Sequence, residues 1–260
     1  MNYKIIQTFY SLLIRDTRTF QQHIATRTID ACVWAGASLY VSQYLLPLFG
    51  ISSNFGAFMV TGNLAVWGMF EVGTNMSILL GDLLGTNSLS YYLTLPIPPT
   101  WIFIRIALMD AYKSFLPTIP LLPLSKIILQ DHFSLTSINY PKLLFCWILA
   151  HIFFGFFGLF VSSITYSFEY VTTIRQRILF PLWFLGCYQF TWYMMRDASP
   201  TLAYLNLLNP VVYIMESMRG CTNNNLDAIP FVWCITATIG FTILFGYLGI
   251  RQFKKRLDCL

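Results

Sequence analysis

Residues 55–80 read Phe-Gly-Ala-Phe-Met-Val-Thr-Gly-Asn-Leu-Ala-Val-Trp-Gly-Met-Phe-Glu-Val-Gly-Thr-Asn-Met-Ser-Ile-Leu-Leu. The chain then passes through Gly85-Thr86-Asn87-Ser88-Leu89-Ser90-Tyr91-Tyr92-Leu93-Thr94-Leu95-Pro96 before a second apolar stretch at 100–122. The first run carries a single charge, Glu71. A helix needs about 20 predominantly apolar residues to cross the hydrocarbon core of a bilayer, so 55–80 predicts a membrane-spanning helix. The run at 85–96 has no Lys or Arg, although it joins two such segments. A connection of that composition reads as a docking surface for another protein.

Composition extends this reading to the whole chain. Of its 260 residues, 56% are hydrophobic, 17% aromatic and 10% charged, where a soluble domain carries about 25% charged residues. So few charges cannot cover a water-facing surface, and the chain is expected to be an all-α integral membrane protein. Apolar segments long enough to span lie at 29–49, 55–80, 100–122, 143–165, 178–195 and 229–250. Pro117, Pro120 and Pro123 break or bend the end of the third. Pro181 makes 178–195 the weakest.

Basic residues set the orientation. With the N-terminus inside, the cytoplasmic side holds Lys4, Arg15, Arg18, Arg27, Arg175, Arg177, Arg251, Lys254, Lys255 and Arg256, and the outside holds only Lys126, Lys142, Arg196 and Arg219. Both termini are then cytoplasmic, as an even number of spans requires. The loop at 81–99 is the cytoplasmic loop that lacks a basic residue.

Residues 1–27 show no apolar stretch followed by a small-residue cleavage site. Their polar positions Lys4, Thr8, Ser11, Arg15, Arg18 and Gln22 recur at helical spacing, which predicts an amphipathic helix in the membrane interface with Arg15 and Arg18 toward the headgroups. The segment at 197–221 is too apolar for a free loop, and Pro200 and Pro210 cut it into pieces too short to span. It predicts re-entrant or interfacial helices on the outer side. No soluble domain or internal repeat stands out, so 1–260 is one transmembrane domain.

Several chemistries lack their residues. There is no Gly-Lys pair, hence no P-loop, and nucleotide hydrolysis would have to come from another chain. His23, His132 and His151 are scattered without a carboxylate cluster, which gives no metal or catalytic site. The six cysteines form no C-x-x-C pair and read as apolar packing residues. A net charge of +5 is too small to indicate nucleic acid. Glu71, Arg105, Asp110 and Lys113 lie within the second and third spans, where an unpaired charge is costly. They form either a structural pair, Glu71 with Arg105 or Lys113, or a polar lining for a substrate or proton path. Tyr188, Trp192 and Tyr193 fit an interfacial aromatic belt; a stacking surface for a glycan is the other reading of that cluster.

Taken in order along nearly the whole chain, these features resemble the permease subunit of an ABC-2 type exporter. Gly85-Thr86 followed by Leu89, Tyr92, Leu93, Leu95 and Pro96 is similar to that family's cytoplasmic segment. Leu208-Asn209-Pro210, with Tyr213 and Arg219, resembles its outer stretch before the last span. The chain departs from the family in having only Asp82 as a charge before Gly-Thr, and in the dense cluster Pro96, Pro98 and Pro99.

The resemblance implies a type V exporter-like fold. It would have six transmembrane helices, an N-terminal amphipathic interfacial helix and re-entrant helices before the last span. It implies a coupling helix at 82–95, seated in a separate P-loop ATPase through Asp82, Leu83, Gly85, Thr86, Leu89 and Tyr92. It also implies an outer gate at Asn209, Pro210, Tyr213 and Arg219. Two ATPase subunits would carry ATP and Mg, this chain holding no cofactor and not being catalytic by itself. A second permease copy or close relative would complete the path. The setting implied is membrane lipid, most naturally a bacterial inner membrane, and the cargo a hydrophobic or amphiphilic compound, a lipid or a lipid-linked glycan. Two other classes stay open: a proton- or ion-coupled secondary transporter using Glu71 and Asp110, and a non-transporting membrane scaffold.

Overall fold

Helices account for nearly all of the regular structure in this computed structural model, which describes residues 3–52, 54–86, 88–222 and 228–257. In chain order they are α1 (Tyr3–Gln21), α2 (Ile24–Tyr40), α3 (Phe55–Gly81), α4 (Ser88–Leu93), α5 (Pro99–Phe115), α6 (Leu121–Leu129), α7 (Tyr140–Ile164), α8 (Phe168–Ile174), α9 (Phe180–Phe184), α10 (Trp192–Ala198), α11 (Pro200–Asn206), α12 (Pro210–Arg219) and α13 (Phe231–Leu257). Among the described residues there is no β-strand, and the only bridge pairs Ile138 with Thr222.

Four helical runs are long and apolar enough to cross a membrane: Ile24–Phe49, Phe55–Gly85, Tyr140–Ile164 and Phe231–Leu257. They match the sequence-derived spans at 29–49, 55–80, 143–165 and 229–250 within a few residues at most ends. α13 runs seven residues further, because its basic last turn stays helical.

The other two expected segments take a different form. The stretch 100–122 is α5, a 17-residue helix. It ends in a 3₁₀ turn at Leu116–Thr118 and continues after Pro120 as the nine-residue α6. The stretch 178–195 is not one helix. The helical run begins earlier, at Phe168, passes through a π turn at Arg175–Leu179 and stops at Phe184. Proline in a helix removes one backbone donor and crowds the carbonyl four residues earlier. The π turn widens the backbone immediately before Pro181, and a second one at Val41–Leu45 does so before Pro47. Gly50 then ends the α2 run in the left-handed conformation, φ 86°, which glycine adopts without a Cβ penalty.

α3 and α7 form the centre of the bundle, with α5 and α13 packed along α7. In lipid, helices associate through close van der Waals packing and interhelical hydrogen bonds rather than hydrophobic exclusion, and both are present here. The backbone of α5 approaches α7 at Gly155, where a Cβ would lie 2.2 Å from the carbonyl oxygen of Ala107. His151 of α7 bonds the Ser114 hydroxyl of α5 at 2.8 Å and faces the Leu64 carbonyl of α3 at 3.2 Å. One imidazole thereby ties three helices together, which explains a buried histidine with no metal or carboxylate beside it.

At the opposite end from α4, the segment 197–221 forms most of the three short helices α10–α12. Pro200 and Pro210 each stand in a first turn, where the missing N–H costs nothing. α12 is buried along almost its whole length against α3, α7 and α13.

Gly155→Leu should separate α5 from α7, since overpacking a tight contact costs about 1–3 kcal/mol or more. A clear drop in the melting temperature of the purified protein in detergent is the expected result. Gly240→Ala, where a Cβ meets nothing within 4 Å, should leave it unchanged or slightly raised.

Candidate functional site

The charged residues of α3 and α5 converge with those of α1 and α2 on a cleft between α1, the start of α2, the second half of α3, α4 and α5. One cavity of about 600 Å³ is lined by Arg15, Asp16, His23, Arg27, Glu71 and Lys113, among others. It adjoins another of about 250 Å³ that shares Asp16, Asn75, Tyr92 and Lys113 and adds Asp82, Arg105 and Asp110. The cleft thus gathers four cations (Arg15, Arg27, Arg105, Lys113) and four carboxylates (Asp16, Glu71, Asp82, Asp110). Among the described residues no group of three or more His, Cys, Asp or Glu side chains could hold a metal ion.

The pairing differs from the one expected. Glu71 pairs with neither Arg105 nor Lys113. It accepts from Arg27 of α2 at 3.3 Å. Arg105, only 3% exposed, pairs with Asp16 of α1, and Lys113 stands 3.6 Å from Asp110 on its own helix. The reason is that α1 folds back onto α5 and delivers its one acidic residue to the guanidinium. A lone Asp in a helix whose other charges are basic was the available signal, and sequence reading passed over it. Arg15 joins the same network, donating to Asp16 and to the Tyr92 hydroxyl, each at 2.7 Å. It faces α4 rather than lipid headgroups alone. Arg18, one turn further along α1, is exposed.

Tyr92 is the link from this network to α4. Its ring lies between two guanidiniums, Arg15 at 5.0 Å and Arg105 at 4.5 Å. Asp82, in the π turn Asp82–Thr86 that ends α3, accepts from the backbone N–H groups of Ser88 and Leu89 at 3.0 and 2.8 Å. A carboxylate in that position satisfies two orphan donors and complements the helix dipole. It fastens the six-residue α4 to the end of α3.

The expected docking residues therefore divide. Leu89 is 1% exposed and packs with Ile102, Phe103 and Phe253 in the chain's own core, and Leu83 and Tyr92 pack against that cluster. Leu89 and Tyr92 face inward where α4 packs on α5, and Leu83 does so from the π turn before it. The residues turned outward are Leu84, 56% exposed, and Tyr91, 63% exposed. A Cβ added at Gly85 would meet nothing within 4 Å. Asn87 and the Thr86 side chain lie outside the described residues.

The second predicted constellation, around Asn209, Pro210, Tyr213 and Arg219, is a set of ties to backbone carbonyls. Asn209 caps α12 by accepting from Val211 N–H at 3.0 Å and donates to the Leu182 carbonyl at 2.8 Å. The Tyr213 hydroxyl donates to the Leu207 carbonyl at 2.9 Å. Arg219 is 4% exposed. It donates to the carbonyls of Cys187 and Tyr188, faces Glu216 at 3.3 Å and lies 4.0 Å over the Phe58 ring. Glu216 in turn accepts from the backbone N–H of Trp192 at 2.9 Å. Together they pin the turn at 185–191 to α12. That turn buries Tyr188 and Trp192, whose polar atoms reach Asn63 at 2.6 Å and the Ala203 carbonyl at 2.8 Å. Those two aromatics belong to the core, not to an interfacial belt.

Neither a protein-family model nor a curated protein matches this sequence.

Arg219→Gln should leave Glu216 as a buried, uncompensated charge and cost about 3–5 kcal/mol. Adding Glu216→Gln should restore part of that loss, read as a positive coupling in a double-mutant cycle of thermal stability. At the other end, Asp16→Asn should release α1, and faster tryptic cleavage after Arg18 is the expected signature.

Proposed function

We propose that this chain is the membrane-spanning subunit of an ATP-driven exporter of the ABC-2 type, worked by a separate P-loop ATPase through the segment 82–95. One observation carries the reading. α4 is fastened on three sides, to α3 by Asp82, to α1 by Arg15–Tyr92 and to α5 by Arg105–Tyr92. Yet it and the turn before it present two large apolar side chains, Leu84 and Tyr91, outward. A free loop would absorb a push; a helix tied at every corner transmits it. Exposed Leu and Tyr on a rigid element suit the core of a protein interface. Displacement of α4 would pass through Tyr92 into α1 and α5, and through Asp82 into α3, as a rigid-body shift of packed helices.

On this reading α5–α6 and α8–α9 are broken crossings that complete six. α1 and both termini face the cytoplasm, α10–α12 close the outer side, and two copies enclose the path of a hydrophobic or amphiphilic cargo. A second reading, a gradient-driven transporter, is favoured by Glu71 and Asp110, two buried carboxylates lining one connected cleft.

Purification of the tagged protein from its own membrane in mild detergent should bring down a stoichiometric P-loop ATPase. The double variant Leu84→Asp/Tyr91→Asp should lose it while keeping the wild-type melting temperature, whereas Leu89→Asp should lose the fold itself. An ATPase that still binds the exposed-face double variant would overturn the docking surface. A wild-type protein that transports without any ATPase, and stops when the proton gradient collapses, would favour Glu71 and Asp110.

A further inference from the structure

A separate cavity, of about 350 Å³, lies between α2, α3 and the α8–α9 run. Its walls are aromatic. Trp34, Phe70 and Trp183 meet edge to face, with ring centroids 4.8 Å apart for Trp34–Phe70, 5.6 Å for Phe70–Trp183 and 6.2 Å for Trp34–Trp183. Phe180 adds a fourth ring to the lining. Such walls suit an apolar or flat guest.

One cation enters this cavity. The guanidinium of Arg175 lies against Gly73, where a Cβ would sit 3.2 Å from Nε and from Nη2. Gly73 stands eight residues before the Gly81 end of α3, which is about 12 Å along the helix. Arg175 is exposed overall and lines this cavity with its guanidinium, whereas the cations of the charged cleft and of α12 meet carboxylates: Arg27 with Glu71, Arg105 with Asp16, Lys113 with Asp110 and Arg219 with Glu216. Among the described residues Arg175 has neither a carboxylate within ion-pair distance nor a ring beneath it. A second donor on the same wall is also unmatched: Trp183 Nε1 is buried with no hydrogen-bond acceptor. An open guanidinium and an unmatched indole N–H beside an aromatic chamber suit a guest with an oxyanion at one end and an apolar body at the other.

We infer that this cavity binds an anionic amphiphile, its phosphate or carboxylate head on Arg175 and a single chain or ring system among Trp34, Phe70 and Trp183. Ligand cavities run from about 300 to 1,000 Å³, and one near the lower bound admits one acyl chain rather than a whole two-chain lipid. That this guest is the exporter's cargo rests on the function proposed above; the binding itself does not.

The test uses the full chain in neutral phosphatidylcholine nanodiscs, titrated with dodecyl phosphate brominated at the chain end, with quenching of tryptophan fluorescence as the readout. The trimethylammonium analogue measures simple partition into the bilayer, and only the excess quenching by the phosphate head is scored. Saturable excess quenching is expected. It should be weakened about tenfold or more by Arg175→Gln and by Gly73→Val, which crowds the guanidinium, and largely abolished in amplitude by Trp34→Phe/Trp183→Phe. Arg175→Gln alters an exposed side chain, so its melting temperature should match wild type. Equal quenching by the two heads, full retention in Arg175→Gln, or complete displacement by inorganic phosphate at matched concentration would overturn the inference, the last by reducing the site to a free-anion site. Because no ATPase enters this assay, loss of excess quenching with ATPase co-purification intact would sink the pocket alone. The converse would sink the exporter reading alone.

Discussion

Arg105 and Asp16 set the arrangement of one end of this protein. A guanidinium enclosed by apolar helices is expensive to ionise alone, and no acid on α3 or α5 takes the role. The nearest solution is to draw α1 down onto α5 so that its only carboxylate meets the charge. Once α1 is there, Arg15 falls beside Tyr92, Tyr92 fills the space between two guanidiniums, and α4 is pressed onto α5 with Leu89 beneath it. The break between α1 and α2 then directs Arg27 toward Glu71. A single desolvation penalty thus accounts for the course of the first helix, the seat of the short helix and the partner of the next buried acid.

The opposite end is ordered by the same rule applied to Glu216 and Arg219. Here the pair lies within one short helix; Arg219 also donates to the carbonyls of Cys187 and Tyr188, and Glu216 accepts from the backbone N–H groups of Trp192 and Ile229. A chain that breaks its helix inside an apolar environment must find partners for the exposed carbonyls and amides. Arg219, Glu216 and Asn209 provide them. α12 can therefore be buried along almost its whole length without stranding its ends, and Tyr188 and Trp192 can turn into the core.

Between the two ends the bundle relies on close approach. Gly155 lets α7 meet the backbone of α5, and His151 crosses to both α3 and α5. Two π turns precede Pro47 and Pro181, so that a proline shifts the winding of a helix without ending it at once. This local adjustment leaves the aromatic chamber beside Arg175 on the flank of the bundle, apart from the charged cleft. The cleft holds equal numbers of cations and carboxylates; the chamber has an open guanidinium and an unmatched indole N–H.

Apolar run length and charge sparsity, both legible in the sequence, were enough to specify an all-helical protein and to include its four membrane-length helices among six expected spans, because a long uncharged run has few alternatives to a helix in lipid. The same reading marked Glu71, Arg105, Asp110 and Lys113 as placed at a cost, and the segments 82–95 and 197–221 as unusual. It could not say which charge meets which, since ion pairing between helices depends on how α1 folds back and on the rotation of each helix about its axis. Nor could it tell the inward Leu89 from the outward Leu84 and Tyr91, because a six-residue helix has too few turns for periodicity to assign a face. The π turns, the burial of Tyr188 and the meeting of Arg175 with Gly73 lay beyond it for the same reason. They are relations between elements, and only tertiary packing determines which surfaces share a space.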